Sequence, residues 1–148
     1  MNEIAPNLTI NDYIKWNHYK AAKWAKFLSI VGFVFVGIIL IMAFFISSFM
    51  GNMPQMQEQP LPMGALLQVI YLVIAIIYFT PNLFLFLYAT KTIKALKYDS
   101  QTSYEEGANN LRRMFTTIGV FTIIMLALYA IGIIAAIFMG IAKSNLFI

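Results

Sequence analysis

Three long stretches of the chain contain no charged residue, and this feature constrains the fold more than any other. The stretches are 27–57, 59–90 and 114–142. A membrane-spanning helix needs about 20 predominantly apolar residues. We therefore place the spans at 27–50, 65–90 and 117–141. Buried helices of soluble bundles keep a polar face, which these segments lack over six turns, about 20 residues. The sequence predicts an all-α integral membrane protein with three transmembrane helices.

The overall composition supports lipid as the surrounding solvent. Charged residues make up 11% of the 148 residues, against about 25% in an ordinary soluble domain. The absence of cysteine excludes disulfides, thiolate metal sites, Fe–S clusters and a cysteine nucleophile. The first apolar run starts at Phe27 and is too long for the core of a cleavable signal peptide, so we expect a retained anchor.

The basic residues flank the spans unevenly and predict an orientation. Nine precede span 1 or separate spans 2 and 3: Lys15, Lys20, Lys23, Lys26, Lys91, Lys94, Lys97, Arg112 and Arg113. The opposite side carries only Lys143. Short loops rich in Lys and Arg stay in the cytoplasm. We expect a cytoplasmic N-terminus and, after three spans, an external C-terminus.

The remaining segments complete a single membrane domain, 1–148. They are a cytoplasmic amphipathic segment at 1–26, an external loop at 51–64, a cytoplasmic helical hairpin at 91–116 and an external tail at 142–148. Thr9 or Asn11 is suited to cap the N-terminal amphipathic helix. Its aromatic residues Trp16, Tyr19 and Trp24 are typical of the headgroup level.

The cytoplasmic hairpin has recognisable turn and capping signals. We expect the second helix to continue to about Tyr98 and the turn to occupy residues 99–102. Two overlapping patterns, Thr102-x-x-Glu105 and Ser103-x-x-Glu106, fit a capping box. The next helix is therefore predicted to begin near Ser103 and to run into span 3.

Span 2 contains the most polar intramembrane segment, Thr80-Pro81-Asn82. Pro81 lacks a backbone donor and predicts a kink, which the Thr80 hydroxyl can ease by bonding to a preceding carbonyl. The structural interpretation is a kink that fits one helix to its neighbours. The functional alternative is that Thr80 and Asn82 line a path.

Catalytic and cofactor-binding patterns are not found in the sequence. His18 is the only histidine and has no acid pair beside it, while turn and capping chemistry accounts for Asp99, Glu105 and Glu106. The spans carry no ionisable group of the kind that marks proton relays. We expect no enzyme activity, no cofactor and no nucleic-acid partner.

Two weaker patterns concern methionines and small residues. Met50, Met53 and Met56 are spaced three apart, and thioether sulfur is a soft ligand that suits Cu(I). Methionine is also a common flexible filler, and that interpretation is favoured, so no metal site is predicted. In span 3 the small residues Gly132, Ala136 and Gly140 form a stripe that lets another helix approach closely. That helix belongs either to the same subunit or to another protein, and the sequence favours neither.

The basic side offers a possible docking surface. Its members are Lys15, Lys20, Lys23, Lys94, Lys97, Arg112 and Arg113. Basic residues held near an anionic leaflet each contribute about 1 kcal/mol to binding. They either set only the orientation or also contact acidic lipid headgroups or an acidic partner, and the sequence leaves both interpretations open.

Several short segments resemble an uncharacterised family of small bacterial inner-membrane proteins, classed as a domain of unknown function. These are 22–28 (AKWAKFL), 78–81 (YFTP), 91–96 (KTIKAL) and 111–119 (LRRMFTTIG). The resemblance covers the chain from about Trp16 to span 3. It implies a bacterial inner membrane and no known activity, so it transfers no functional residue.

These observations favour a non-catalytic membrane protein that acts by association. It would be an accessory subunit of a larger membrane complex or a homo-oligomer, surrounded by membrane lipid. The alternative is a small oligomeric channel or transporter in which Thr80 and Asn82 line the path.

Overall fold

The computed structural model describes the backbone of residues 11–51 and 63–144 and the side chains of 11–46, 48–49 and 64–139. Three helices account for this part of the chain. They are α1 (Asp12–Gly51), α2 (Met63–Tyr98) and α3 (Gln101–Ser144). No strand occurs within these ranges. The prediction of an all-α fold is confirmed.

Each of the three helices is long and apolar enough to cross a membrane. The qualifying segments are Asp12–Ile46, Gly64–Tyr98 and Gln101–Met139. The architecture is therefore that of a multi-pass membrane protein. At 1.5 Å per residue the helices are about 54 to 66 Å long, whereas a bilayer with its headgroups measures about 40–45 Å. Each helix thus exceeds the thickness of the membrane.

The excess length coincides with the charged residues. Apart from Lys143, the charged residues of the described backbone lie in the segments 12–26 and 91–114, which we call the basic end. The amphipathic segment predicted before span 1 runs directly into the span, because α1 continues without interruption from Asp12 to Gly51. Its start is capped as expected: the Asn11 side-chain oxygen accepts a hydrogen bond from the Ile14 amide at 2.9 Å. Thr9 lies outside the described residues.

The chain divides into two compact units, Met1–Met114 and Phe115–Ile148. In the first unit α1 and α2 pack as an antiparallel pair, since Lys15 meets Asp99 near one end of the contact and Phe33 meets Phe79 further along. The second unit, as far as it is described, consists of the remainder of α3.

Most of the buried apolar side chains of the first unit are small. The fully or nearly buried apolar residues are Ala22, Val36, Ala43, Ala75, Ala89 and Ala95. Small residues let two helix backbones approach, and van der Waals packing then holds them together in lipid. Three polar residues of the first unit are also buried, Ser29, Thr92 and Ser103. The Ser29 hydroxyl donates to the Lys26 carbonyl at 2.7 Å, which satisfies it within its own helix.

The turn between α2 and α3 is shorter than predicted. The second helix ends at Tyr98 as expected, but α3 begins at Gln101 rather than near Ser103. The two capping boxes predicted at Thr102 and Ser103 are therefore wrong, because both residues already lie in the helix. The capping residue is Ser100, whose Oγ accepts a long hydrogen bond of 3.4 Å from the Ser103 amide.

Candidate functional site

The two-residue turn at Asp99 and Ser100 organises the basic end. Asp99 has a φ of 50°, the left-handed conformation that commonly follows the last residue of a helix. The Ser100 amide then donates to the Ala95 carbonyl at 3.0 Å, the long-range bond of a Schellman motif. Ser100 therefore ends α2 through its backbone and begins α3 through its side chain.

The start of α1 packs against this turn and leaves a cavity of about 290 Å³. Its walls come from all three helices and the turn: Lys15, His18, Ala95, Leu96, Asp99, Ser100, Gln101 and Tyr104. The Lys15 ammonium lies 3.4 Å from the Asp99 carboxylate. The His18 ring contacts the Tyr104 ring edge-on, with centroids 6.3 Å apart.

An ion pair and a close backbone approach join α2 to the first turns of α3. The Lys91 ammonium forms a salt bridge with the Glu106 carboxylate. The hydrogen bond and the positive charge of Lys91 hold the pKa of Glu106 below its ordinary value. One residue further, Gly107 lies against Thr92, whose side chain is 1% exposed. The Thr92 hydroxyl finds no hydrogen-bond partner among the described residues.

The basic residues predicted to contact lipid or a partner differ in their surroundings. In three pairs an ammonium group lies 4.7 to 5.4 Å from an aromatic ring centroid: Lys20 over Trp16, Lys23 over Tyr19 and Lys97 over Tyr98. Lys94, Arg112 and Arg113 are exposed. Because Trp16 and Tyr19 precede their lysines by one helical turn, the ammonium groups of Lys20 and Lys23 are directed away from the predicted span. Contact with headgroups beside that span would require them to leave these rings.

The polar segment of α2 bonds to its own helix. The helix is continuous through Pro81. The Thr80 hydroxyl donates to the Ile76 carbonyl at 3.0 Å, which confirms the expected back-bonding, and the Asn82 side-chain amide donates to the Tyr78 carbonyl at 2.9 Å. These two bonds lie on either side of Ile77, the residue whose carbonyl loses its usual donor to proline.

Asn82 also lies against Gly32 of α1. A Cβ atom built on Gly32 would lie 2.1 Å from the Asn82 Oδ1 atom, so only glycine fits there without a shift. The two residues line one end of an apolar groove of about 390 Å³ beside Phe35, Val36 and Ile39. The amide is therefore part of the packing of this helix pair, whereas a path-lining function for it stays a prediction.

Along 122–139 every side chain of α3 is exposed. Gly132 and Ala136 lie in this segment, and a Cβ atom built on Gly132 would meet nothing within 4 Å. The surroundings of Gly140 are outside the part of the chain that the structure describes. The same holds for the side chains of Met50, Met53 and Met56. Among the residues whose placement is described, no group of three His, Cys, Asp or Glu side chains comes together to hold a metal ion.

Three features were not anticipated from the sequence: the cavity, the Gly107 contact and the Gly32 contact. A glycine inside a helical pattern costs about 1 kcal/mol relative to alanine, so a packing reason could have been sought for both. Lys15 and His18 are three residues apart and therefore share a helix face, which was a detectable signal. Their meeting with the α2–α3 turn depends on tertiary packing and has no local signature.

Comparison with known proteins identifies no relative of this chain. No protein-family model, no curated protein and no solved structure matches the chain. The resemblance to an uncharacterised bacterial inner-membrane family stays a prediction.

Proposed function

We propose that the protein acts without catalysis, by association of its third membrane-spanning helix with other membrane helices. It serves either as an accessory subunit of a larger membrane complex or as a homo-oligomer. The observation that carries this proposal is the exposure of every side chain along 122–139, with Gly132 unobstructed. Lipid covers apolar side chains as well as another helix does, so the small residues, rather than hydrophobicity, supply the preference for a helix partner.

The small-residue stripe favours close packing on one face of α3. Gly132 and Ala136 are one helical turn apart, and Gly140 follows at the same spacing. A partner backbone that reaches this face gains dispersion contacts along its length, which a disordered acyl chain makes less well. The opposite face carries larger side chains and gives the substitution experiment its control.

The experiment replaces Gly132 and Ala136 by isoleucine, separately, and measures the assembly by native mass spectrometry after gentle detergent extraction. We expect each change to weaken association by about 1 kcal/mol or more if the helix backbones touch there. Ala127→Ile is the matched control, because Ala127 is equally exposed but lies on the opposite face of the helix. A purified protein that is monomeric and has no stoichiometric partner would contradict the proposal.

The same measurement separates the two forms of association. Protein produced alone and purified forms a defined oligomer if the partner is a second copy. It is monomeric alone, but bound in fixed stoichiometry when extracted from its native membrane, if the partner is a different chain. In either case the Ile substitutions at Gly132 and Ala136 act on the complex, while Ala127→Ile does not.

The location and orientation are also proposals. The excess of basic residues, nine against one, supports a cytoplasmic basic end and an external C-terminus. The resemblance described above supports a bacterial inner membrane. Membrane lipid surrounds the apolar helices, and the exposed side chains of Lys94, Arg112 and Arg113 contact acidic headgroups or an acidic partner surface.

A further inference from the structure

The cavity at the basic end has the size and the chemistry of a small-molecule site. Its volume of about 290 Å³ corresponds to roughly ten water-sized groups, each about 30 Å³. It lies at the meeting point of three helices and the α2–α3 turn, so its walls are held by the backbone of the first unit. The residues that line this cavity are not those proposed to mediate association.

One wall carries two hydrogen-bond donors suited to an anion. Lys15 offers an ammonium group with three donors, and His18, three residues later, offers a ring nitrogen on the same helix face. The Lys15 ammonium pairs with Asp99 at a long 3.4 Å, with the two side chains 45% and 92% exposed. Exposed ion pairs of this kind contribute little to stability, so a second anion can take the place of Asp99 at small cost.

The other walls are partly apolar and partly polar. Ala95, Leu96 and the ring of Tyr104 offer carbon surface, while Ser100 and Gln101 offer neutral hydrogen-bonding groups. Binding sites for small molecules combine an apolar lining with a few polar groups that fix orientation. The lining therefore suits an organic anion with an apolar body better than a bare inorganic ion.

The distance of the cavity from the hydrocarbon indicates whether its ligand comes from the water or from the lipid. His18 precedes the first charge-free stretch, which starts at Phe27, by nine residues, and Asp99 follows the end of the second, at Thr90, by nine residues. Nine residues of helix rise about 13 Å, whereas the headgroup layer on each side of a bilayer is about 5–7 Å thick. A helix close to the membrane normal thus holds the cavity in water, beyond the lipid headgroups, and places Trp16 and Tyr19 further from the bilayer than the headgroup level predicted from the sequence.

We propose that this cavity binds a small, soluble organic anion. The carboxylate or phosphate of the ligand contacts Lys15 and His18, and its apolar body packs against Leu96 and Tyr104. Asp99 competes with the ligand for Lys15, with which it forms an ion pair when the ligand is absent.

The test uses phenyl phosphate as the probe and His18 as the reporter. Because the chain has a single histidine, its imidazole NMR signals report on the cavity without assignment ambiguity. The full-length protein, in nanodiscs of zwitterionic lipid, is titrated at constant pH and ionic strength. We expect the His18 signals to shift and saturate. Inorganic phosphate should bind more weakly because it has no apolar body.

Three variants test the assigned contacts. Lys15→Gln should weaken phenyl phosphate binding about tenfold or more, since it removes a charged hydrogen-bond donor. Asp99→Asn should strengthen binding by about fivefold, because it removes a competing charge at close range. Lys97→Gln removes the same charge as Lys15→Gln from an exposed position outside the cavity and should leave the affinity unchanged.

Several results would overturn the proposal. His18 signals that do not move with phenyl phosphate at millimolar concentrations would show that no such site exists. Equal losses in Lys15→Gln and Lys97→Gln would show a diffuse charge effect instead of a site. A His18 shift that appears only when the nanodiscs contain anionic lipid would assign the cavity to a headgroup and exclude the soluble ligand.

Discussion

At the scale of single residues, the contact between Gly107 and Thr92 shows how a glycine in a helix is used. A Cβ atom on Gly107 would lie 2.6 Å from the Thr92 Oγ1 atom and 3.3 Å from the Thr92 backbone nitrogen. Thr92 is buried and β-branched, so its hydroxyl cannot easily rotate away. Glycine therefore sets how closely α3 approaches α2.

We predict that Gly107→Ala destabilises the protein by about 1–3 kcal/mol, the usual cost of overpacking. At an unobstructed helix position the same change stabilises by about 1 kcal/mol. Gly119→Ala provides that control, because a Cβ atom on Gly119 meets nothing within 4 Å. Thermal unfolding in detergent measures both variants, and the two shifts should have opposite signs.

A second substitution identifies the atom responsible. Thr92→Ala removes the hydroxyl and should rescue Gly107→Ala, whereas Thr92→Val keeps the branched shape and should not. Equal unfolding temperatures for Gly107→Ala and the unaltered protein would show that the two helices do not approach as described.

Local hydrogen bonds were predictable at this scale, whereas contacts distant in sequence were not. The Asn11 cap and the Thr80 back-bond follow from side chains that reach backbone groups within four residues. Gly32 and Gly107 acquire their function only from Asn82 and Thr92, which belong to another helix. No periodicity within one helix contains that information.

At the scale of elements, the α2–α3 hairpin has several candidate capping residues within four positions. The sequence offers Ser100, Thr102 and Ser103, and the acidic residues that follow favoured the latter two. The left-handed conformation of Asp99 decides the outcome, because it ends α2 and brings Ser100 to the start of α3. Glu105 and Glu106 are then used differently: one accepts from Gln101 at 3.1 Å and the other pairs with Lys91.

The Lys91–Glu106 pair predicts a dependence of stability on pH. Lys91 lowers the pKa of Glu106 in the folded protein relative to the unfolded chain. The stabilisation is therefore present above the unfolded pKa and is lost as the pH falls through the lower, folded pKa. We expect the unfolding temperature of the unaltered protein to fall more between pH 7 and pH 3 than that of Glu106→Gln.

Glu105→Gln is the control for this experiment. Glu105 has the same charge and lies next in sequence, but it accepts a hydrogen bond from the neutral Gln101. Its variant should keep the pH dependence of the unaltered protein. An identical dependence in Glu106→Gln and the unaltered protein would mean that the ion pair does not contribute.

At the scale of the whole molecule, the fold class was predictable because lipid restricts the backbone to very few structures. Every backbone polar group in hydrocarbon must be satisfied within the protein, so a long charge-free stretch folds as a helix. Three such stretches predict three helices, and three are described. The cavity was not predictable in the same way, because Lys15 and Asp99, or His18 and Tyr104, are more than 80 residues apart in sequence.

The predicted orientation is tested by labelling single cysteines. The chain has no cysteine of its own, so the unaltered protein is a blank. Thr102→Cys should react with a membrane-impermeant maleimide only after the cells are permeabilised, because the basic side of a membrane protein stays in the cytoplasm. Asn145→Cys should react in intact cells. The reverse pattern would overturn the orientation.

The length of the helices has a consequence for what the basic end can sense. In physiological salt the potential of a charged leaflet decays over about 8 Å. Groups held about 13 Å above the hydrocarbon, as nine residues of helix would hold His18 and Asp99, lie largely outside that field. Their occupancy would then follow the concentration of solutes in the surrounding water and change little with the lipid composition of the membrane in which the protein is embedded.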